Sequence, residues 1–424
     1  MDAGVAEVRA AVVVVSGDVR AQLAPVPDVR TATVGHVAGA PRPAAPPVVG
    51  GLGRRAAAAA EGLYLDAGDL WFPSYRVLPH RRADARAEAE AHAAALKRVG
   101  LAVSAVGEGD LAFGQDVLRE LARAAGAELV SANLVQAGTS SLAFAPYAVV
   151  SQGGLRVGVV GASPVLPADA PEADAYRFAG LEARAAGPAV AGAVAAARAA
   201  GAEVVVALLH MPEPEAQAVL RGLPRGAVDA AVAAHGAGPG WFRGGLGVPT
   251  SRGRGVVRLA VGASGGAIAV QGAAVRLAGA SLPGFEVEVA RGAPEVVGAV
   301  ACAETCHAEA LQAWKKTAHA RAMATLVGKK QGRNPDCMIC HATGYAPSRA
   351  LRPVEAEVSC EACHGSSAAH RADDEVPPEY GRVVPGWVCG GCHGVQARQG
   401  VFHVGVKQDA LRSPGHGIRA PSKN

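Results

Sequence analysis

Short apolar runs alternate with amphipathic stretches along the first three hundred residues. Ala11–Ser16, Leu63–Asp66, Leu101–Val106, Glu128–Ser131, Val157–Gly161, Val204–His210 and Val228–His235 have the length and β-branched content of strands. Arg82–Val99, Gln115–Ala125, Pro188–Ala200 and Glu213–Leu220 repeat apolar residues at helical spacing. Strands separated by such helices predict an α/β layered domain. Near its end the pattern turns to β, with Val256–Val261 and Ile268–Leu277 joined through Gly-rich turns. Ala38–Gly51, rich in Pro, Gly and Ala, reads as a surface loop. Beyond residue 300 the chain is poor in apolar residues. Ala308–Val327 reads as a helix there, and the rest as short helical and irregular pieces.

Composition narrows the class. Half of the 424 residues are hydrophobic but only 4% are aromatic, so Ala, Val, Leu and Gly must carry the burial. At 18% charged, with no acidic or basic block, the chain is not disordered. No window offers the ~20 uninterrupted apolar residues of a membrane span, since the closest, Ala189 to Leu209, is broken by Arg198 and Glu203. The net charge of +4 is too small to argue for a nucleic-acid partner. That charge lies wholly after residue 300, where 15 basic residues face 11 acidic ones. All eight cysteines and eight of the 13 histidines lie there too. The break predicts two blocks, residues 1–297 and 298–424.

In the first block polar residues collect where strands end: Asp18, Asp69, Glu108, Asp110, His210 and His235. Carboxylates and imidazoles converging on one sheet edge can hold a hard or borderline metal. On spacing alone they can equally cap helices and bind water.

The order of these segments resembles the 5′-nucleotidase type of calcineurin-like metallophosphatase. Ser16-Gly17-Asp18-Val19-Arg20 matches the family's Asp-x-His opening, with Arg20 where the His belongs. Gly50-Gly51-Leu52-Gly53-Arg54-Arg55 and Leu65-Asp66-Ala67-Gly68-Asp69-Leu70 follow in family order, Asp69 falling on the metal-bridging position. Gly107-Glu108-Gly109-Asp110 stands for Gly-Asn-His-Glu, so Gly109 replaces the catalytic His. Ser131-Ala132-Asn133-Leu134 continues the likeness, His210 and His235 fall on later His positions, and the final His has become Ala237. The resemblance implies a metallophosphatase-like fold with one divalent metal on Asp69, Glu108, His210 and His235. A second metal would lose two imidazoles and meet the Arg20 cation. Two-metal hydrolysis needs both ions to clamp the attacking and leaving oxygens, so the domain is expected to be inactive as a hydrolase.

The second block holds four cysteine pairs, and a His follows each at once. They are Cys302/Cys306-His307, Cys337/Cys340-His341, Cys360/Cys363-His364 and Cys389/Cys392-His393. Cys-x-x-Cys-His is the c-type haem attachment signal: two thiols add to the vinyl groups and the adjoining His reaches the iron. The first pair has three intervening residues, Ala303-Glu304-Thr305, and departs from that spacing. Eight cysteines could instead make two Cys₄ zinc sites or disulfides, but neither explains a His after every pair. His319, His370, His403 and His416 are available as sixth ligands. On one helix His319 would lie ~18 Å along the axis from His307, so it is expected to serve a different iron. His370 is likewise expected to reach a neighbouring haem rather than that of His364.

Trp314-Lys315-Lys316-Thr317-Ala318-His319-Ala320-Arg321-Ala322-Met323, Pro335-Asp336-Cys337-Met338-Ile339-Cys340-His341-Ala342-Thr343-Gly344-Tyr345 and Ser359–His370 resemble multihaem cytochromes of the cytochrome c-554 type. The resemblance implies four closely packed haems c, mostly with two His ligands, and other redox proteins as electron donor and acceptor. Haem c is attached outside the cytoplasm, so a periplasmic or exported chain is expected, although Met1-Asp2-Ala3-Gly4 carries no basic leader segment. The expected role is electron transfer, the first block serving as a docking or ligand-binding module. The alternatives are a metal-dependent phosphoesterase and an oxidoreductase acting at an open haem.

Overall fold

A computed structural model describes residues 8–27, 48–77, 81–168, 170, 172–235, 240–242, 245–247, 253–264, 267–285, 296–303, 306–332, 334–345, 357–365, 367–373, 375–376, 378, 384, 388–389 and 392–393. The chain divides into two compact units, Met1–Tyr75 with Ala89–Glu288, and Arg76–Glu88 with Val289–Asn424. His403, His416 and Ala237 lie outside the described residues. Among the described residues no helix is long and apolar enough to cross a membrane.

The first unit is built on two six-stranded sheets. One runs in the order Ala267–Arg276, Gly255–Ser264, Arg9–Ser16, Leu63–Asp66, Leu101–Ala105, Glu128–Val130. The other runs Gly240–Phe242, Gly245–Gly247, Ala230–Ala234, Val204–His210, Leu155–Ala162, Tyr147–Gln152. Arg9–Ser16 through Glu128–Val130 are parallel neighbours, as are Leu155–Ala162, Val204–His210 and Ala230–Ala234. Side chains alternate across a strand, so Val13 and Val15 enter the core between the sheets while Val14 points the other way. Leu65, Val103 and Val130 of one sheet meet Val157, Val159, Val206 and Leu208 of the other in that core. On the outer face of the second sheet, Val160, Val205, Ala207 and Leu209 pack against Val190, Ala193, Val194 and Ala197 of the helix Ala186–Ala199. The domain is α/β layered, as the alternation of strand and helix patterns predicts.

Two local expectations change. Val48–Val49 is a strand paired antiparallel with Val26–Pro27, so the loop does not extend through residue 49. A β-branched pair at the end of a Pro-rich run was enough to make a ladder rung. Leu52–Ala59 is an extra helix, its first turn entered from Gly51 at φ 85. Leu52, Ala56 and Ala59 are buried at helical spacing, a short stripe inside an Ala run that gives little periodic signal.

The second unit is helical and short-ranged. Among the described residues after Val289 its helices are Ala299–Ala303, Ala308–Lys315, Ala322–Gly328, Pro335–His341, Cys360–His364 and Ala368–Ala372. The single helix expected over Ala308–Val327 is therefore broken. It stops at Lys315, and a 3₁₀ turn at His319–Arg321 precedes the next helix. Thr317 supplies the reason. Its hydroxyl donates to the Trp314 carbonyl at 2.7 Å and accepts from the Ala320 N–H at 3.4 Å, ending one helix and capping the next turn. The argument placing His319 ~18 Å from His307 along one helix axis consequently falls. The core here is a small cluster of Leu326, Met338, Ala342 and Tyr345.

Candidate functional site: a carboxylate–imidazole centre and paired histidines

The strands of the first unit deliver their C-terminal ends to one place, where α/β folds collect ligands. Asp18 follows Arg9–Ser16, Asp69 follows Leu63–Asp66, Glu108 follows Leu101–Ala105, His210 ends its strand and His235 follows Ala230–Ala234. Backbone hydrogen bonds from Asp18 to Gly68, Arg20 to Asp69 and Ala21 to Leu70 align the first two loops. The Asp110 carboxylate braces the second and third, accepting from the N–H groups of Asp69, Leu70, Trp71 and Gly107. Burial, then the charge on Asp69, pushes Asp110 up to about 8 against the pull of those donors.

Asp18, Asp69, His210 and His235 each offer a ligand atom, and the four atoms lie within 4.8 Å of one another. Glu108 completes the group, 3.3 Å from His210 Nε2 and 3.2 Å from His235 Nδ1. Asp18 is thus a member that the ligand set drawn from the family motifs did not contain, although its motif position was recognised. His210 Nδ1 donates to the Ala67 carbonyl at 2.9 Å, which leaves the Nε2 lone pair facing Asp69 and Glu108. Glu108 Oε2, His210 Nε2 and His235 Nδ1 are buried without a hydrogen-bond partner. Orphaned acceptors and imidazole nitrogens turned toward each other are a donor set that fits a divalent cation. The same closeness shifts the titration of these groups. Burial alone would raise Glu108, but His235 and His210 outweigh it and hold it well below the usual range. Burial opposes protonation of His210, yet Asp69 and Glu108 raise it well above the usual value, and His235 rises for the same reason.

Arg20 stands beside this group, its Nη2 3.4 Å from Asp18 and 3.4 Å from Asp69. Gly109 donates its N–H to Asp69 Oδ1 at 2.7 Å, and a Cβ there would lie 2.7 Å from that oxygen. Positive φ angles at Asp18, Arg20, Ala21, Asp69 and His235 put uncommon backbone conformations at this one place; Lys330 is the other non-Gly example among the described residues.

In the second unit, one helical turn carries each of two ordinary attachment motifs. Cys337, Cys340 and His341 lie on Pro335–His341, and Cys360, Cys363 and His364 on Cys360–His364. Residues i, i+3 and i+4 share a helix face, so both thiols and the imidazole point to one side. Burial, then Cys389, pushes Cys363 up to about 12. Cys392 rises well above its usual value through a hydrogen bond with Cys340 first and burial second.

The first motif differs, and Cys306 is where it departs from the expected attachment geometry. Cys302 lies on the helix Ala299–Ala303, whereas Cys306 and His307 come after that helix has ended. Cys306 is exposed, while the other seven cysteines are half-buried. The extra residue between the thiols is the physical reason. It carries Cys306 past the helical turn that would have set both thiols on one face. His307 is tied back all the same, its N–H donating to the Cys302 carbonyl at 3.3 Å.

Histidines from different segments pair. The rings of His307 and His370 are 6.2 Å apart, and those of His319 and His393 6.1 Å. Two imidazoles on one iron need roughly 6 Å between centres, from two ~2 Å metal–nitrogen bonds and about 1 Å from each nitrogen to its ring centre. His370 Nδ1 donates to Val376 O at 2.7 Å and His341 Nδ1 to Ala322 O at 2.8 Å, which frees Nε2 on both. Burial, then His341, lowers His319, and burial, then His319, lowers His393, a shift toward the neutral imidazole that ligates. The residues present fit haem ligation.

Residues 301–365 match the cytochrome c554 and c-prime family. The cytochrome c554-like block is also similar to cytochrome c-554 of Nitrosomonas europaea, 30% identical over 89 residues, 16% of this chain and 38% of that protein. The chain thus spans well under half the length of this curated relative. The first unit resembles solved structures at low identity. A 5′-nucleotidase precursor from Thermus thermophilus is 24% identical, with TM-score 0.48 over 63% of this chain and 54% of that one. The sulfate thiohydrolase SoxB of the same species is 20% identical, with TM-score 0.48 over 63% and 56%. The calcineurin-like phosphoesterase YfkN of Bacillus subtilis is 16% identical, with TM-score 0.49 over 66% and 95%.

Proposed function

We propose that this chain is an exported, periplasmic electron-transfer protein with four covalently attached haems c, fused to a metallophosphatase-like domain that keeps one metal position and does not hydrolyse nucleotides. The observation that carries the reading is the pairing of His307 with His370 and of His319 with His393 at the spacing of two ligands on one iron. Each pair joins a motif histidine to one outside any motif. His341 and His364 bind the other two irons, with His403 and His416 as the remaining candidates opposite them. Bound haem supplies one-electron exchange between ferric and ferrous iron, at lower potential with two His ligands than with His and Met. Donor and acceptor are other redox proteins.

In the first domain Asp18, Asp69, Glu108, His210 and His235 would hold a single divalent ion. The Arg20 guanidinium against Asp18 and Asp69 supplies positive charge where a second ion would sit. Gly109 presents only a backbone N–H where the resembling family has an imidazole to serve the leaving group. The domain then acts as a docking or ligand-binding module.

A pyridine haemochrome spectrum with intact mass, on protein made with haem-maturation machinery, tests the reading. The expected result is four haems c; zinc in place of haem overturns it. His319→Ala should turn one low-spin iron high-spin while all four haems stay attached. Metal-dependent hydrolysis of a nucleoside monophosphate, abolished by Asp69→Ala, would overturn the inactive domain alone.

A further inference from the structure

Glu361 is an outlier in the cytochrome block. It sits inside the third attachment motif, between Cys360 and Cys363, yet it is only 1% exposed. A buried carboxylate has to be compensated, and here backbone donors do it. Oε1 accepts from Val297 N at 3.0 Å and Ser367 N at 3.2 Å, and Oε2 accepts from Gly298 N at 2.9 Å.

The donors belong to two different arms. Gly298 leads into the first attachment site: its carbonyl accepts from Cys302 N at 3.2 Å, and the Cys302 carbonyl accepts from His307 N at 3.3 Å. Ser367 precedes the helix Ala368–Ala372, which carries His370, and its carbonyl accepts from Arg371 N at 2.8 Å. One carboxylate therefore anchors both segments that bring His307 and His370 to 6.2 Å.

We propose that Glu361 is a positioning residue for the iron held by His307 and His370, although its own neighbours Cys360 and Cys363 attach a different haem. The inference rests on the electron-transfer reading above. Glu361 does not reach the iron; it sets the distance between the two imidazole arms. Removing the carboxylate lets His370 leave while His307, held through the covalent attachment beside it, remains.

The test uses the full haem-loaded chain. Glu361→Ala should keep four haems by intact mass and convert one low-spin iron to high-spin in optical and electron paramagnetic resonance spectra. Glu361→Gln keeps the volume and one acceptor oxygen, and should give partial conversion of the same iron. In a His370→Ala background that iron is already high-spin, so Glu361→Ala should add none. A second high-spin iron in the double variant, loss of the Cys360/Cys363 haem, or unchanged spectra in whichever Glu361 variant folds would overturn the proposal. Wild-type protein lacking haem c or low-spin iron would instead defeat the underlying reading.

Discussion

The two units solve burial in different ways. In the first, Val13, Val15, Leu65, Val103, Val157, Val206 and Leu208 close a continuous core between two sheets, and many of their side chains are wholly inaccessible. In the second, the largest described apolar cluster is four buried residues around Met338 and Tyr345, and the helices Ala308–Lys315 and Ala368–Ala372 bury none of their residues. Its organisation is instead polar. Val358 N donates to the His319 carbonyl, Trp314 Nε1 to the Val358 carbonyl and Met323 N to Glu357. Such hydrogen bonds are worth only about 1 kcal/mol each net, too little to offset chain entropy alone. The difference teaches that the first unit's sequence carries its own core, while in the proposed reading the second unit's sequence carries sites at which haems would become the core.

That contrast can be broken by removing each kind of core. The largest effect is expected from Cys337→Ala, Cys360→Ala or Cys389→Ala, each weakening or removing one haem and unfolding much of the second unit. Intact mass and near-UV circular dichroism check this; four haems in all three variants would refute it. In the first unit Leu208→Ala should cost about 2–5 kcal/mol in chemical denaturation and leave the haem count unchanged. A smaller effect sharpens the metal side. Added Zn²⁺ or Mn²⁺ should raise the first unit's stability by about 1–3 kcal/mol at ten to a hundred times its dissociation constant. The raised values of His210 and His235 fix the sign with pH. In the metal-free protein their charged forms stabilise the fold below the ordinary imidazole value, and that contribution is lost as pH rises through the raised folded values. Metal binding must expel those protons, so affinity should strengthen as pH rises across the same window. Titration calorimetry in buffers of different ionisation enthalpy reads the proton release, and pH-independent affinity would contradict it.

Much of the fold was legible because its signals are long and regular. Leu63–Asp66, Val204–His210, Arg82–Val99 and Gln115–Ala125 have the bounds that periodicity predicts. Tyr147–Gln152 and Leu134–Gln136 give no clear strand signal, because Ser151, Gln152 and Gln136 blur the apolar alternation. The attachment motifs are visible because chemistry fixes their spacing. The break at Thr317 was hidden, since Thr is tolerated in helices and its capping role depends on where the chain turns next. Asp18 was visible as a motif residue, but its place among the ligand atoms required the loop from Ser16 to Arg20 folded against Gly68 and Asp69.

The two imidazole pairs also interleave along the chain: 307, 319, 370 and 393 alternate between partners. In the proposed reading each ligation would close a loop of roughly 60 to 75 residues, and neither loop contains the other. In a polymer, two crossed closures restrict more freedom than two nested or separate ones, and a single closure over such a length is worth about 4 kcal/mol by the entropy used for disulfides. In the proposed ligation the first pair can close once the chain extends to His370, while His319 must wait for His393. On that reading maturation of this block would have a direction built into its topology, and a chain truncated between the two later histidines is expected to ligate one iron fully and leave the other with an open coordination position.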